Sequence, residues 1–231
     1  MIKEKYTKNI LLGEIGEEEK SKLLNSKVLI AGCGALGSKV LANLASAGIG
    51  TIGLIDNPDD CNTEQVVSAQ KWIEKHHKEI NIKTYNEKID KTNSEKIIGE
   101  YNILVDCFDN YQSKFLLNEF AVKYNKPLVH GEAAENYGHA TVIIPHKTPC
   151  LVCLFPNTSR DIKLADEAAG FAVNAIGALM SQSAINLLLG IQDDLENVLL
   201  TYNSDDMKLE KIKLSFNPDC KICAQQGAIS R

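Results

Sequence analysis

Short apolar runs alternate with amphipathic stretches through the first two thirds of the chain. Residues 28–31 (Val-Leu-Ile-Ala) are wholly apolar and 51–55 and 103–107 largely so, the pattern of parallel strands covered on both faces. Helical spacing occupies the intervals: 17–24 in a polar lead-in, 38–47 with Val40, Leu41, Leu44 and Ala45 on one face, 65–78, 94–100, and 111–124 with Phe115, Leu116, Phe120 and Ala121 inward. Strands are also predicted at 80–85 and, opened by Pro127, at 128–130. This order predicts a doubly wound, Rossmann-like α/β sheet with mostly parallel strands.

The last third reads differently. Residues 140–144 are β-branched and lead through Pro145 and Pro149 to a cysteine pair, 157–168 form a polar stretch without period that reads as a surface crossover loop, and 174–189 form a helix of small and apolar residues ending at Gly190. Late, antiparallel strands are expected at 198–202 and 208–214, after which Asn217-Pro218-Asp219 turns the chain into a second cysteine pair. The expected organisation is one domain over 1–231: a helical lead-in at 1–25, a nucleotide-binding half at 26–145 and a cysteine-clamped half at 146–231.

A chain of 231 residues buries a full core, and its net charge of -5 argues against an electrostatic hold on nucleic acid or an anionic membrane. The polar start does not read as a signal peptide and no run of about 18 apolar residues is apparent, so a cytoplasmic protein is expected. Seven cysteines, an odd number, favour metal ligands and free thiols over disulfides. Cys33 and Cys107 lie in apolar runs and are expected to be buried thiols.

Gly32-Cys33-Gly34-Ala35-Leu36-Gly37 joins the first strand to the next helix. Glycines at such a turn let backbone N–H groups and the helix N-terminus approach a phosphate, which side chains would block. Asp56, 19 residues beyond Gly37 at the end of the second strand, is placed to accept hydrogen bonds from ribose hydroxyls. The third central strand ends Asp106-Cys107-Phe108-Asp109-Asn110 and a helix follows at once. Asp109 or Asn110 serves there as a helix cap, or Asp109 faces the crevice and holds Mg²⁺ on the phosphates; the local pattern fits both. A nicotinamide dehydrogenase shares the glycine turn and the aspartate, but the cysteines argue against it.

Cys150/Cys153 and Cys220/Cys223 are two Cys-x-x-Cys pairs bracketing the last third. A two-residue spacer lets one turn supply two thiolates, and four of them fill the tetrahedral shell of a structural Zn²⁺ with no position left open. Adjacent His76 and His77 point to different helix faces and are expected at a solvated helix end. His130 and His139 are read as structural, with His130 pointing toward the active edge of the sheet.

Taken together, these segments resemble the ThiF/MoeB/HesA adenylyltransferases, relatives of ubiquitin-activating enzymes. The likeness rests on Lys5-Tyr6-Thr7-Lys8-Asn9-Ile10-Leu11-Leu12, on the glycine turn with Leu44-Ala45-Ser46-Ala47-Gly48-Ile49-Gly50 behind it, and on Asp106-Cys107-Phe108-Asp109-Asn110. Pro149-Cys150-Leu151-Val152-Cys153-Leu154-Phe155 and Asn217-Pro218-Asp219-Cys220-Lys221-Ile222-Cys223 complete it. The resemblance implies ATP-dependent adenylation of a carboxylate, usually the C-terminal glycine of a ubiquitin-like sulfur carrier protein, with release of pyrophosphate, by a homodimer carrying zinc on the four cysteines. It also implies that Gly32, Gly34, Ala35 and Gly37 cradle phosphate, that Asp56 binds ribose, and that Asp109, beside Asn110, is the magnesium and catalytic aspartate.

Several positions depart from the family pattern. Lys8 stands where the family has an arginine that reaches into the partner subunit's site, keeping the charge without the planar fork. A loop carrying an Asn and an Arg is absent between Asp56 and Gln65, and Gln65 itself aligns with a catalytic lysine. Asp166 lies near the place where some members carry a cysteine that joins covalently to the carrier. A divergent nucleotide-binding scaffold or regulator without catalysis, and adenylation of a small-molecule carboxylate, are therefore alternatives.

Overall fold

The computed structural model describes residues 16–57, 63–158 and 170–224. Lys8, Cys61, Asp166 and most of the expected crossover loop lie outside the described residues, as does the side chain of Gln65. Eight strands form one sheet: β1 (Lys27–Ala31), β2 (Thr51–Asp56), β3 (Asn81–Asn86), β4 (Ile103–Asp106), β5 (Leu128–Ala134), β6 (Tyr137–Ile143), β7 (Val198–Asn203) and β8 (Lys208–Lys213). Their spatial order is β3-β2-β1-β4-β5-β6-β7-β8. Strands β1 to β5 are parallel to their neighbours, and β5 to β8 are joined antiparallel.

The helices are α1 (Glu17–Leu24), α2 (Ala35–Ala47), α3 (Thr63–His76), α4 (Ser94–Gly99), α5 (Tyr111–Lys123), α6 (Leu151–Leu154) and α7 (Gly170–Leu189). Successive side chains of a strand face opposite sides, so β1 feeds two cores. Val28 and Ile30 pack with Val40, Leu44, Ile176 and Met180 of α2 and α7, while Leu29 and Ala31 pack with Ile97, Ile98, Phe115 and Leu117 of α4 and α5. Central strands buried on both faces need apolar residues at every position, which explains their unbroken hydrophobic runs.

Helix α7 is long and apolar enough, by length and composition, to cross a membrane, which corrects the expectation that no such stretch exists. Here its Ala172, Val173, Ile176, Met180 and Ala184 are buried in the core formed with α2 and the sheet. The other end of the sheet has the opposite character: every residue of β8 is exposed, and Lys208, Lys211 and Lys213 stud this edge strand. Edge strands bearing lysine resist pairing with other chains.

The antiparallel half extends further than the β-branched run suggests, with β5 and β6 forming a hairpin across Glu135-Asn136. His77 also differs from expectation. It is buried, only 8% exposed, with its ring 5.3 Å from that of Trp72, because it lies one residue past the end of α3, where the chain folds back toward β3.

Candidate active site

The order of the sheet fixes where a site is built. From β1 the chain moves outward through β2 to β3, then returns to lay β4 against the other side of β1. The carboxyl ends of β1 and β4 therefore open a crevice at a topological switch point, where α/β sheets bind ligands.

Gly32 ends β1 with φ +98°, a left-handed conformation, and a Cβ there would lie 2.4 Å from the Cys107 carbonyl oxygen. A Cβ at Gly37 would lie 1.9 Å from the Gly32 carbonyl oxygen. These two glycines serve the chain's own packing and seat the turn against the end of β4, two residues before Asp109. Gly34 is different: a Cβ there would meet nothing within 4 Å. It stands at the N-cap of α2, before the exposed Ala35, so open space lies above N–H groups that have no intrahelical acceptor. The turn fits a phosphate.

Asp56 is buried at the end of β2. Its Oδ2 accepts from the Cys33 backbone N–H at 2.6 Å and its Oδ1 from that of Asn57 at 2.9 Å. On the other side of the turn, Asn110 is the cap of α5: its Oδ1 accepts from the Ser113 N–H at 2.8 Å, and its Nδ2 donates to Asp109 Oδ1 at 3.2 Å. Capping thus falls to buried Asn110, whereas Asp109 is exposed. The cap reading of this dipeptide therefore settles on Asn110.

Behind Asp109 lies a buried polar cluster absent from the sequence reading. Asp106 Oδ2 is 2.7 Å from His130 Nδ1 and 3.7 Å from the ammonium of Lys114, and its Oδ1 accepts from the Phe108 N–H at 3.1 Å. Burial acts to raise the Asp106 carboxyl, but the Lys114 ammonium and the His130 hydrogen bond outweigh it and hold the group below its ordinary range. Lys114 donates to the Gly131 carbonyl at 3.0 Å. His130 Nε2 lies 3.2 Å from His139 Nε2, and burial pushes His139 well below the usual histidine range, assisted by His130 and Lys114. The available signal was Asp106 itself, a charged residue ending an apolar run, and Lys114 one helical turn beyond Asn110.

The four cysteines converge. Cys150 Sγ is 3.6 Å from Cys220 Sγ, Cys153 Sγ is 3.3 Å from Cys223 Sγ, and all four sulfurs lie within 4.8 Å of one another as free thiols. Zn–S bonds of about 2.3 Å give tetrahedral edges of about 3.8 Å, so this cluster is compatible with a zinc knuckle. Its two turns form locally: Cys150 caps α6 and accepts from the Cys153 N–H at 2.9 Å, and Cys220 follows an Asn217 turn. The Cys223 thiol, hydrogen-bonded to Cys150, moves that thiol well below its ordinary range.

The model of the ThiF family matches residues 6–59 and 57–222. Among similar proteins, the SAMP-activating enzyme E1 of Haloferax volcanii is 28% identical over 246 residues, covering 98% of this chain and 91% of its own. The sulfur carrier protein adenylyltransferase of Thermus thermophilus is 27% identical over 248 residues, with 96% and 91% covered. The adenylyltransferase and sulfurtransferase MOCS3 of Aedes aegypti is 30% identical over 247 residues, and there the chain spans only 56% of the relative. The fold is that of E. coli MccB, whose crystal structure superposes with a TM-score of 0.76 over 90% of this chain and 67% of that one at 22% identity.

Proposed function

This chain belongs to the ThiF family, and from that premise we propose that it is an ATP-dependent adenylyltransferase acting as a single domain on a carboxylate. The observation that carries the proposal is the meeting, at one switch point, of an open glycine turn, the Asp56 carboxylate and an exposed Asp109. The acceptor we infer is the C-terminal glycine of a ubiquitin-like sulfur carrier protein. The names of the Haloferax and Thermus relatives, which this chain nearly spans, support that choice.

In this reading the first-turn N–H groups at Gly34 and Ala35 bind phosphate, and Asp56 accepts from the ribose hydroxyls. An acceptor carboxylate oxygen attacks the α-phosphorus, the bond from that phosphorus to the bridging oxygen breaks, and acyl-AMP and pyrophosphate result. Asp109 would hold Mg²⁺, which supplies positive charge against the phosphates. The exposed side chain of Asp109 suits that role, and Asn110 holds it in place by the 3.2 Å hydrogen bond.

Cys150, Cys153, Cys220 and Cys223 would hold Zn²⁺ as a closed structural site, away from the chemistry. Reduced thiols of this kind fit a cytoplasmic setting. We take the working form to be a homodimer in which Lys8 of one subunit reaches the site of the other. The test is ATP–pyrophosphate exchange with Mg²⁺ and a panel of carrier proteins ending in Gly-Gly. Exchange that depends on the carrier supports the proposal; tight ATP binding without exchange against every carrier and small carboxylate overturns it in favour of a scaffold.

A further inference from the structure

The antiparallel hairpin of β5 and β6 carries a set of donors that the adenylation chemistry does not use. His130 and Glu132 are two apart on β5 and share a face, and His139 stands opposite Glu132 in the register of β6. One donor atom from each lies within 4.8 Å of the others. We propose that His130, Glu132 and His139 form a second metal site, taking a divalent transition ion of the zinc type, distinct from the four cysteines.

The distances suit the ion. Zn–N bonds of about 2.0–2.1 Å place two imidazole nitrogens about 3.3 Å apart at a tetrahedral centre, and His130 Nε2 and His139 Nε2 are 3.2 Å apart. The support behind the ligands suits it too. His130 Nδ1 is held 2.7 Å from the buried carboxylate of Asp106, which fixes the ring and aims Nε2 at His139, the arrangement that orients metal-bound histidines. Phe155 walls the site, its ring 6.3 Å from that of His130 and 5.7 Å from that of His139.

Glu132 supplies an independent observation. Its Oε2 is buried and has no hydrogen-bond partner among the described residues, which leaves a desolvated acceptor without compensation. Lys114 reaches it as a long ion pair and not as a hydrogen bond: the ammonium donates to the Gly131 carbonyl at 3.0 Å and stands 4.0 Å from Oε2. Asp106 and Glu132 share the Lys114 ammonium, at 3.7 and 4.0 Å, and a divalent ion beside Glu132 would give that carboxylate a partner of its own. Three protein ligands leave a fourth position open, as in reactive rather than structural zinc sites. Tyr111, at the start of α5 and two residues after Asp109, has its hydroxyl 3.5 Å from Glu132 Oε1, so the site adjoins the proposed nucleotide crevice.

The test uses full-length protein with its cysteine site loaded with zinc, titrated with Co²⁺ alone. The expected result is a visible d–d band without thiolate charge transfer, saturating at one equivalent. His139→Gln and Glu132→Gln, each checked for unchanged circular dichroism, should weaken Co²⁺ binding by about 100-fold or more, since even outer partners of a metal site are worth about 10–100-fold. Absence of the band, or a band of unchanged affinity in both variants, overturns the proposal and leaves the 3.2 Å contact as a proton shared between two imidazoles. Neither result depends on whether adenylation occurs.

Discussion

The backbone N–H of Cys33 donates to the carboxylate of Asp56 at 2.6 Å. The acid at the end of β2 therefore shapes the glycine turn at the end of β1, and the residue expected to bind ribose also holds that turn in register. Asp56→Ala should lower both stability and nucleotide affinity. A hydrogen bond to a charged group is worth about 1.5–3 kcal/mol, so chemical denaturation should show a loss of about 2 kcal/mol. Calorimetric titration should show ATP affinity falling by about tenfold or more.

Asp109 is the counter-case. It is exposed, and the cap of α5 belongs to Asn110. Asp109→Ala should leave stability within about 0.5 kcal/mol and lower pyrophosphate exchange by about 100-fold or more, the scale of losing one group that stabilises developing charge. Asn110→Ala should do the reverse in part, costing about 1 kcal/mol of stability through the lost cap.

Lys114 has a side chain only 1% exposed and stands 3.7 Å from Asp106. Lys114→Met keeps the unbranched apolar stem, one atom shorter, but leaves the Asp106 carboxylate with less compensation in the core. Removing one partner of a buried pair costs about 3–5 kcal/mol, and urea denaturation measures it. A loss below about 1 kcal/mol would mean that His130 and the Phe108 N–H suffice for Asp106.

The cysteine clamp joins residues 70 positions apart. Closing a loop of that length is worth roughly 4 kcal/mol by the chain-entropy model, and for a chain of this size about 1 kcal/mol shifts Tm by about 2–4 °C. Cys153→Ser or stripping of the metal should therefore lower Tm by about 8–16 °C, measured calorimetrically, and release one zinc per chain from the thiolates.

Cys107 should be inert. Burial, with the Asp106 carboxylate beside it, pushes its thiol well above the usual range, and only the thiolate reacts with alkylating agents. Iodoacetamide at pH 8 should leave Cys107 unmodified in the folded protein and modify it after denaturation, as read by peptide mass spectrometry.

The central strands β1, β2 and β4 were visible as apolar runs because the sheet is covered on both faces there, where hydrophobicity has no room to alternate. The far part of the β5–β6 hairpin was not visible: Gly131, Glu132, Ala133 and Ala134 carry no β-branched residue, and the turn at Glu135 takes φ 50° without glycine. The glycine turn and the Asp56 carboxylate beside it were legible since both belong to one βαβ unit. Asp106, Lys114, His130 and His139 meet only when β4, α5, β5 and β6 are assembled, so nothing in their spacing announces them. His77 misled for a related reason, since its burial comes from where the chain turns after α3.

Among the described residues no strand pairs with the outer flank of β8, along which Lys208, Lys211 and Lys213 stand. Lys208 is paired with Glu210 and Lys211 with Asp194, so a strand that added there would have to take these ion pairs out of water before its own backbone bonds formed, and the edge is guarded by the hydration of paired charge.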